Sequence, residues 1–489
     1  HEGASCGAVV RGKAKDLDMV VMSLTLVLDL GLDQFYWEKL SLSKILEINE
    51  KTNNDEPPKC KSDLPWYFLK KLMMVNVTVR EIKCTSTSES NCDDSSSDDF
   101  DLDDLLACPN KDDSINPLDL ITALFLCSDG FVHQELALKM SMCQFSVPLL
   151  LPNCDTQQCT LMLWAMRDIV KKYRPSNLSE SKGFIEERIV LSELPMISFV
   201  RLGECSLSKS EILNKLLSNS EQYHDTFVHH NMECGDIQRR ISNGLTEMTW
   251  YLPCGNKNMD IFSEPVAIAN LRGDIASFET QFFFLCQTSA AVFVFIDQLD
   301  SESSWWETNR TKTSELILLK KMATSLALTK NNILIKTKQT NDADFVKLLR
   351  KRVSDVINNS QLKMSIEQMA DVAHELGIPV DEDSPECQNG KTKADQITAE
   401  IKDTFQFKEN QFPLQGQIWK ELTFLEKEEC RLQKVGSENI EIYKSNLKKK
   451  REEQRKKQNS YAMSNVMTGG KHKYSLHDSF ILILISGSI

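Results

Sequence analysis

Lys209 and Ser210 are, by type and spacing, the residues of this chain best suited to handle a phosphate group. They close the stretch Phe199-Val-Arg-Leu-Gly203-Glu-Cys-Ser-Leu-Ser208-Lys209-Ser210, in which an apolar run breaks at a glycine and a helical pattern follows. The register is that of G-x-x-x-x-G-K-[ST], a loop whose backbone N–H groups and helix N-terminus surround phosphates while Lys reaches them and the hydroxyl holds Mg²⁺. Ser208 stands where that pattern has its second glycine. If the position requires a positive φ, a side chain there costs about 1–2 kcal/mol and its Cβ crowds the approach of phosphate. The plain alternative is a strand-to-helix turn with Ser206 or Ser208 capping the helix.

A nucleotide hydrolase built on such a loop also needs a strand ending in D-x-x-G, to orient Mg²⁺ and meet the last phosphate, and another carrying N-K-x-D for guanine. The chain offers Asn270-Leu-Arg-Gly273 and Thr337-Lys338-Gln-Thr340. Gly273 and Lys338 are kept, but Asn270 lacks the negative charge that Mg²⁺ favours. Thr340 cannot replace the base-reading carboxylate, and Asp342 falls two residues late. The candidate nucleotide-binding set is therefore Gly203, Ser208, Lys209, Ser210, Asn270, Gly273, Asp274 and Lys338, in a degenerate form. GTP and Mg²⁺ are expected to bind weakly, with Ser210 the metal ligand if Mg²⁺ is held and Asp274 the stand-in carboxylate of an active switch. No catalytic residue is assigned.

Other chemistry is thinner. His224, His229, His230 and Cys234 are metal-ligand types at tight spacing, but no second pair completes a four-ligand zinc set, so they read as loop residues. His374-Glu375 lacks the second histidine of a metalloprotease helix, and no Ser/His/Asp or Cys/His signature stands out.

The elements that must position the phosphate loop are short apolar runs: FSVPLLLP, PMISFVRLG, PVAIANLRG, AAVFVFID and NILIKTK. They alternate with segments read as helical: CTLMLWAMRDIVKKY, KSEILNKLL and SELILLKKMATSLAL. Such alternation predicts a mainly parallel sheet covered on both faces. The expected fold class is α/β with flanking all-α regions. Residues 1–84 read as small helical units, 85–113 as an acidic disordered linker, 114–356 as the α/β domain, 357–460 as a helical region and 461–489 as a divergent tail. In the helical region NIEIYKSNLKKKREEQRKKQ mixes both signs of charge and suits an extended, solvent-washed helix.

The 489 residues carry a net charge of −13, and the pI near 5.3 argues against general affinity for nucleic acid or anionic membrane. The 15 cysteines show no C-x-x-C pair, so they read as reduced thiols of a cytoplasmic or nuclear protein. The apolar runs near Met19–Leu28 and Phe480–Ile485 fall short of the roughly 20 residues that span a bilayer. The glycosylation sequons at Asn76, Asn177 and Asn309 read as chance matches.

Longer strings carry a family resemblance. SLSKILEI, DLPWYFLKKLMMVNVTVRE, NPLDLITALFLCSDGFVHQELALKMSMCQFSVPLLLP, LMLWAMRDIV, FVRLGECSLSKSEILN and ADVAHELGI together span roughly Leu30 to Gln458. The chain resembles the interferon-inducible very large GTPase and up-regulator of cell proliferation family. The resemblance implies a large cytosolic and nuclear GTP-binding protein of the interferon-responsive class, in whose full-length members an intact phosphate loop lies in a second, later domain. The start at His1 is expected of a fragment or an incomplete gene model, and the unrelated-looking tail of a truncated or alternatively spliced product. The reading is an interaction scaffold around a degenerate GTPase-like domain, with protein partners and self-association through the C-terminal helices.

Overall fold

The computed structural model describes residues 21–48, 55–81, 83–84, 114–153, 158–178, 183–219, 223–256, 258–297, 316–320, 333–335, 341–399, 401–411 and 417–467. The segment 85–113, Lys338 and the tail from 468 lie outside them. Two compact units divide at Cys387/Gln388.

The first unit is organised by an eight-stranded sheet of order β10-β9-β8-β5-β7-β6-β1-β2. Its strands are β1 (Val147–Pro152), β2 (Cys159–Leu161), β5 (Met196–Arg201), β6 (Thr246–Tyr251), β7 (Val266–Leu271), β8 (Ala291–Ile296), β9 (Leu316–Lys320) and β10 (Ile333–Ile335). β3 (Val170–Tyr173) and β4 (Ile185–Arg188) form a separate antiparallel pair. The helices used below are α1 (Leu64–Met73), α2 (Pro117–Leu126), α3 (Gly130–Met142), α4 (Lys209–Leu217), α5 (Glu279–Thr288), α6 (Asp342–Asn359) and α7 (Ile366–Glu375).

The parallel sheet expected from the apolar runs is present from β7 through β5, β8 and β9 to β10. Beyond β7 it is antiparallel, because β6, β1 and β2 each run against their neighbour. The sheet is thus mixed rather than mainly parallel. β6 and β7 are joined through residues 252–265 and pair antiparallel along their full length, from Thr246 opposite Leu271 to Tyr251 opposite Val266.

Two segments read as helical are not. Leu316–Lys320 is a strand, and residues 159–173 fold as β2, a short 3₁₀ turn at Trp164–Met166 and β3. A four- or five-residue apolar run such as Leu-Ile-Leu-Leu has too little length for its period to separate a buried strand from a helix.

Successive residues of the central strands feed two cores. Ile197 and Phe199, Val266 and Ile268, and Phe293 and Phe295 join Ile212, Leu213 and Leu216 of α4 and Phe345, Leu349 and Val353 of α6. Met196 and Val200, Ala267 and Ala269, and Val292 and Val294 face the other way, toward Phe282, Phe284 and Leu285 of α5. That alternation is the two-residue period of a pleated strand with helices on both sides. The second core continues through Leu124 and Phe125 of α2, Leu136 of α3, and Phe68 and Leu72 of α1. It also takes Ile366, Met369 and Ala373 of α7, so the expected boundary at 356/357 cuts through residues that share one core.

The second unit holds α8 (Gln417–Arg431) and α9 (Ile440–Met467). The segment expected as an extended, solvent-washed helix is α9, mostly exposed along residues 439–458, with Leu447 buried there and Leu422 and Leu425 buried on α8; Arg451 and Arg455 pair with Glu429 and Glu426. Tyr443 Oη donates to Glu428, 3.0 Å away.

Phe293 is fully buried on β8 and stacks on Phe199 with ring centroids 5.1 Å apart. Phe293→Ala is expected to cost about 3–5 kcal/mol through lost burial and the cavity left behind, read from the urea unfolding midpoint.

Candidate functional site

β5 has β7 on one side and β8 on the other, and the helices that lead away lie on opposite faces, α4 with the first core and α5 with the second. Such a reversal opens a crevice at the carboxyl ends of the strands. The loop from Gly203 to Ser208 sits there. A cavity of about 370 Å³ is lined by Arg201, Cys205 to Ser210, Val228, His229, His230, Arg239 and Leu271 to Gly273, among others.

The backbone of the loop is not strained at Ser208. Its φ is −69° and ψ 100°, an extended N-cap geometry, so no left-handed cost arises there. Positive φ falls instead on Gly203 (66°) and Gly273 (91°). A Cβ on Gly273 would lie 2.6 Å from Cε2 of Phe278. Gly273 is thus required by local packing, whatever the cavity holds. Neither serine caps α4: Ser208 makes no side-chain cap bond, and Ser206 Oγ donates to Asp297 at 2.6 Å.

Lys209 Nζ lies across the strand ends, donating to the carbonyl of Phe199 at 3.2 Å and to that of Leu271. Burial, followed by the charges of Arg272, Arg201 and Arg239, holds its ammonium pKa well below the ordinary lysine value.

Ser210 explains more. Its buried hydroxyl oxygen accepts from Arg272 Nη1 at 2.6 Å and from Asn270 Nδ2 at 3.3 Å. A hydroxyl has two lone pairs, and here both are taken. Arg272 Nε donates to Glu247 at 2.5 Å, Asn270 Nδ2 to the same carboxylate at 3.2 Å, and Ser146 Oγ to its other oxygen at 2.8 Å. The antiparallel register sets Glu247 of β6 opposite Asn270 of β7, which fixes this arrangement. A guanidinium therefore occupies the neighbourhood in which a phosphate loop's hydroxyl would hold a divalent cation. Asp274 Oδ1 accepts from the N–H groups of Gly203 (3.1 Å) and Ala276 (3.2 Å), bracing the loop.

The structure thus brings Gly203, Ser208, Lys209, Ser210, Asn270, Gly273 and Asp274 to one end of the sheet. Lys338 lies outside the described residues. Sequence reasoning missed Arg201, Arg239, Arg272 and Glu247. The available signal was a basic residue inside Asn270-Leu-Arg272-Gly273, where one charge sign has replaced the other.

Among the histidines, His229 and His230 approach Glu211 of α4, with one ligand atom of each within 4.8 Å of the others. His224 and Cys234 are not in that group. Asn231 N–H donates to His229 Nδ1 at 3.3 Å, which leaves the ring proton on Nε2. Glu211 accepts from Lys215 at 2.7 Å. Burial lowers the pKa of His229, with Asp225 acting the other way.

Comparison with known proteins decides the family. Residues 115–398 match the up-regulator of cell proliferation-like domain and residues 24–101 the N-terminal domain of the same kind. The chain belongs to the up-regulator of cell proliferation-like family. It is 35% identical over 471 residues to the human up-regulator of cell proliferation, covering 89% of this chain and 50% of that protein. Human interferon-induced very large GTPase 1 is 30% identical over 453 residues, covering 87% of this chain and 18% of that protein. Human caspase recruitment domain-containing protein 6 is 36% identical over 361 residues, 68% of this chain and 34% of that protein. The chain spans about half the length of the up-regulator relatives it matches. Among the described residues no helix of this family member is long and apolar enough to cross a membrane.

The side chains of Arg272 and Glu247 are only 6% and 4% exposed. Arg272→Met should cost about 3–5 kcal/mol by leaving a buried carboxylate uncompensated, and the double variant with Glu247→Leu should recover most of it. Urea unfolding of the two single variants and the double checks the coupling.

Proposed function

We propose that this chain is an interaction scaffold, built around a GTPase-like domain whose own nucleotide site no longer uses Mg²⁺·GTP. The observation that carries the reading is the seat of Arg272 on Ser210: the hydroxyl that would coordinate Mg²⁺ is saturated by nitrogen donors, one of them cationic. A divalent cation there would meet a guanidinium, and Asn270 offers no compensating charge. The names of the relatives set the context as interferon response and cell proliferation, and the cytosol or nucleus is the expected compartment. In that role the GTPase-like domain is retained for its shape.

Calorimetric titration of the full chain with GTP and Mg²⁺ should reveal no binding tighter than about 100 μM, roughly −5.5 kcal/mol. Micromolar affinity would overturn the proposal.

A second reading, an active GTP-binding switch, is favoured by one observation: Lys209 and the start of α4 do reach a cavity at the switch point of the sheet. Steady-state phosphate release that disappears in Lys209→Ala would support it over the scaffold. Partner binding is assigned to the second unit as well, where Trp419, Phe424, Ile440 and Ile442 are exposed on α8 and α9. If that helix pair self-associates, light scattering should give a doubled mass that deletion of residues 437–457 returns to the monomer value.

A further inference from the structure

The cavity at the start of α4 carries an excess of positive charge that the site's own carboxylate does not balance. Arg201, Lys209, Arg239 and Arg272 all line it, whereas Glu247 is already engaged by Arg272, Asn270 and Ser146. The cations act on one another: burial and the neighbouring Arg272 and Arg201 push the Arg239 guanidinium down to about 10.

The start of the helix adds to that charge. The nine-residue α4 also begins at this wall without a side-chain cap, so the first N–H groups of the helix and its positive dipole end are available where Ser208, Lys209 and Ser210 line the cavity.

We propose that this cavity binds a phosphate group without a metal ion, Arg272 supplying from within the protein the positive charge that Mg²⁺ supplies in a working phosphate loop. The proposal rests on the preceding reading of a site that has lost Mg²⁺·GTP, and names what that site takes instead. A tetrahedral oxyanion suits the donors, since guanidinium groups and helix-end N–H groups approach it from several directions and its charge is spread over several oxygens. A lone carboxylate would satisfy fewer of them. The same chemistry is offered by free phosphate and by the phosphates of a nucleotide.

The test uses the full chain and inorganic phosphate, GDP and ADP as probes, each titrated calorimetrically in EDTA and again in Mg²⁺. Phosphate should bind saturably and raise Tm, with affinity unchanged within about twofold between the two conditions, and Arg239→Gln should weaken it at least tenfold. Arg239 is half-buried at the cavity wall, so this variant leaves the buried Arg272–Glu247 pair intact and is expected to fold. GDP and ADP binding no tighter than phosphate would assign the source to a free or monoester phosphate. GDP binding much tighter than phosphate, still in EDTA, would assign it to a nucleotide. Both results support a metal-free site. Absence of phosphate binding up to about 10 mM, a requirement for Mg²⁺, or an Arg239→Gln variant of undiminished affinity would each overturn it. Failure of phosphate to bind leaves the scaffold reading intact, whereas tight Mg²⁺·GTP binding would defeat both.

Discussion

A buried ion pair, Arg272 with Glu247, decides what the end of this sheet can do. Neither charge can be left alone in the interior, where removing one partner costs far more than the pair contributes. Glu247 is held from three sides, by Arg272, Asn270 and Ser146, and Arg272 reaches on to Ser210 and to the carbonyl of Val228. The network ties β1's approach, β6, β7 and the first turn of α4 to one another. Its members come from five separate stretches of chain, so it forms only when the antiparallel edge β6-β7 and the parallel strand β5 with α4 are both in place.

This coupling bears on the loop from Gly203 to Ser208. Substitution at the glycine position, Ser208, carries little consequence, because the backbone there is extended and not left-handed. Conversely Gly273, which a motif reading would assign to a phosphate, is held by its positive φ and the ring of Phe278. The chemistry turns on a residue that no phosphate-loop pattern specifies. Asn270 stands where the pattern has an acidic metal partner, and Arg272, two residues on, donates to Ser210.

Much of the fold was legible. FSVPLLLP, PMISFVRLG, PVAIANLRG and AAVFVFID became β1, β5, β7 and β8, and KSEILNKLL became α4. The strand runs are continuous and apolar, and all but AAVFVFID are bounded by Gly or Pro, so local pattern and tertiary role agree. Thr246–Tyr251 was not read as a strand because Thr-Glu-Met-Thr-Trp-Tyr has no clean alternation; its strand character comes from pairing with β7 and β1 on both sides. Leu316–Lys320 misled in the opposite direction, since Leu and Lys favour helices and only the slot between β8 and β10 makes it a strand. For the site, Lys209 and Ser210 could be found by spacing. Arg201, Arg239 and Glu247 could not, because each is brought in by the fold from a different segment and belongs to no contiguous pattern.

The placement of Lys209 follows from the same charge balance. A lysine in a cavity shared with three arginines is repelled by them, and burial adds to the cost of its charge. Two backbone carbonyls, at Phe199 and Leu271, receive it at the ends of β5 and β7, which is the side of the cavity where oxygen acceptors are fixed by the sheet itself. An anion entering the cavity would lower the repulsion among all four cations at once, whereas a divalent cation would raise it. The two kinds of ligand are therefore separated by sign and not merely by degree, and the preference is built into a pair of strands and one helix start rather than into any single side chain.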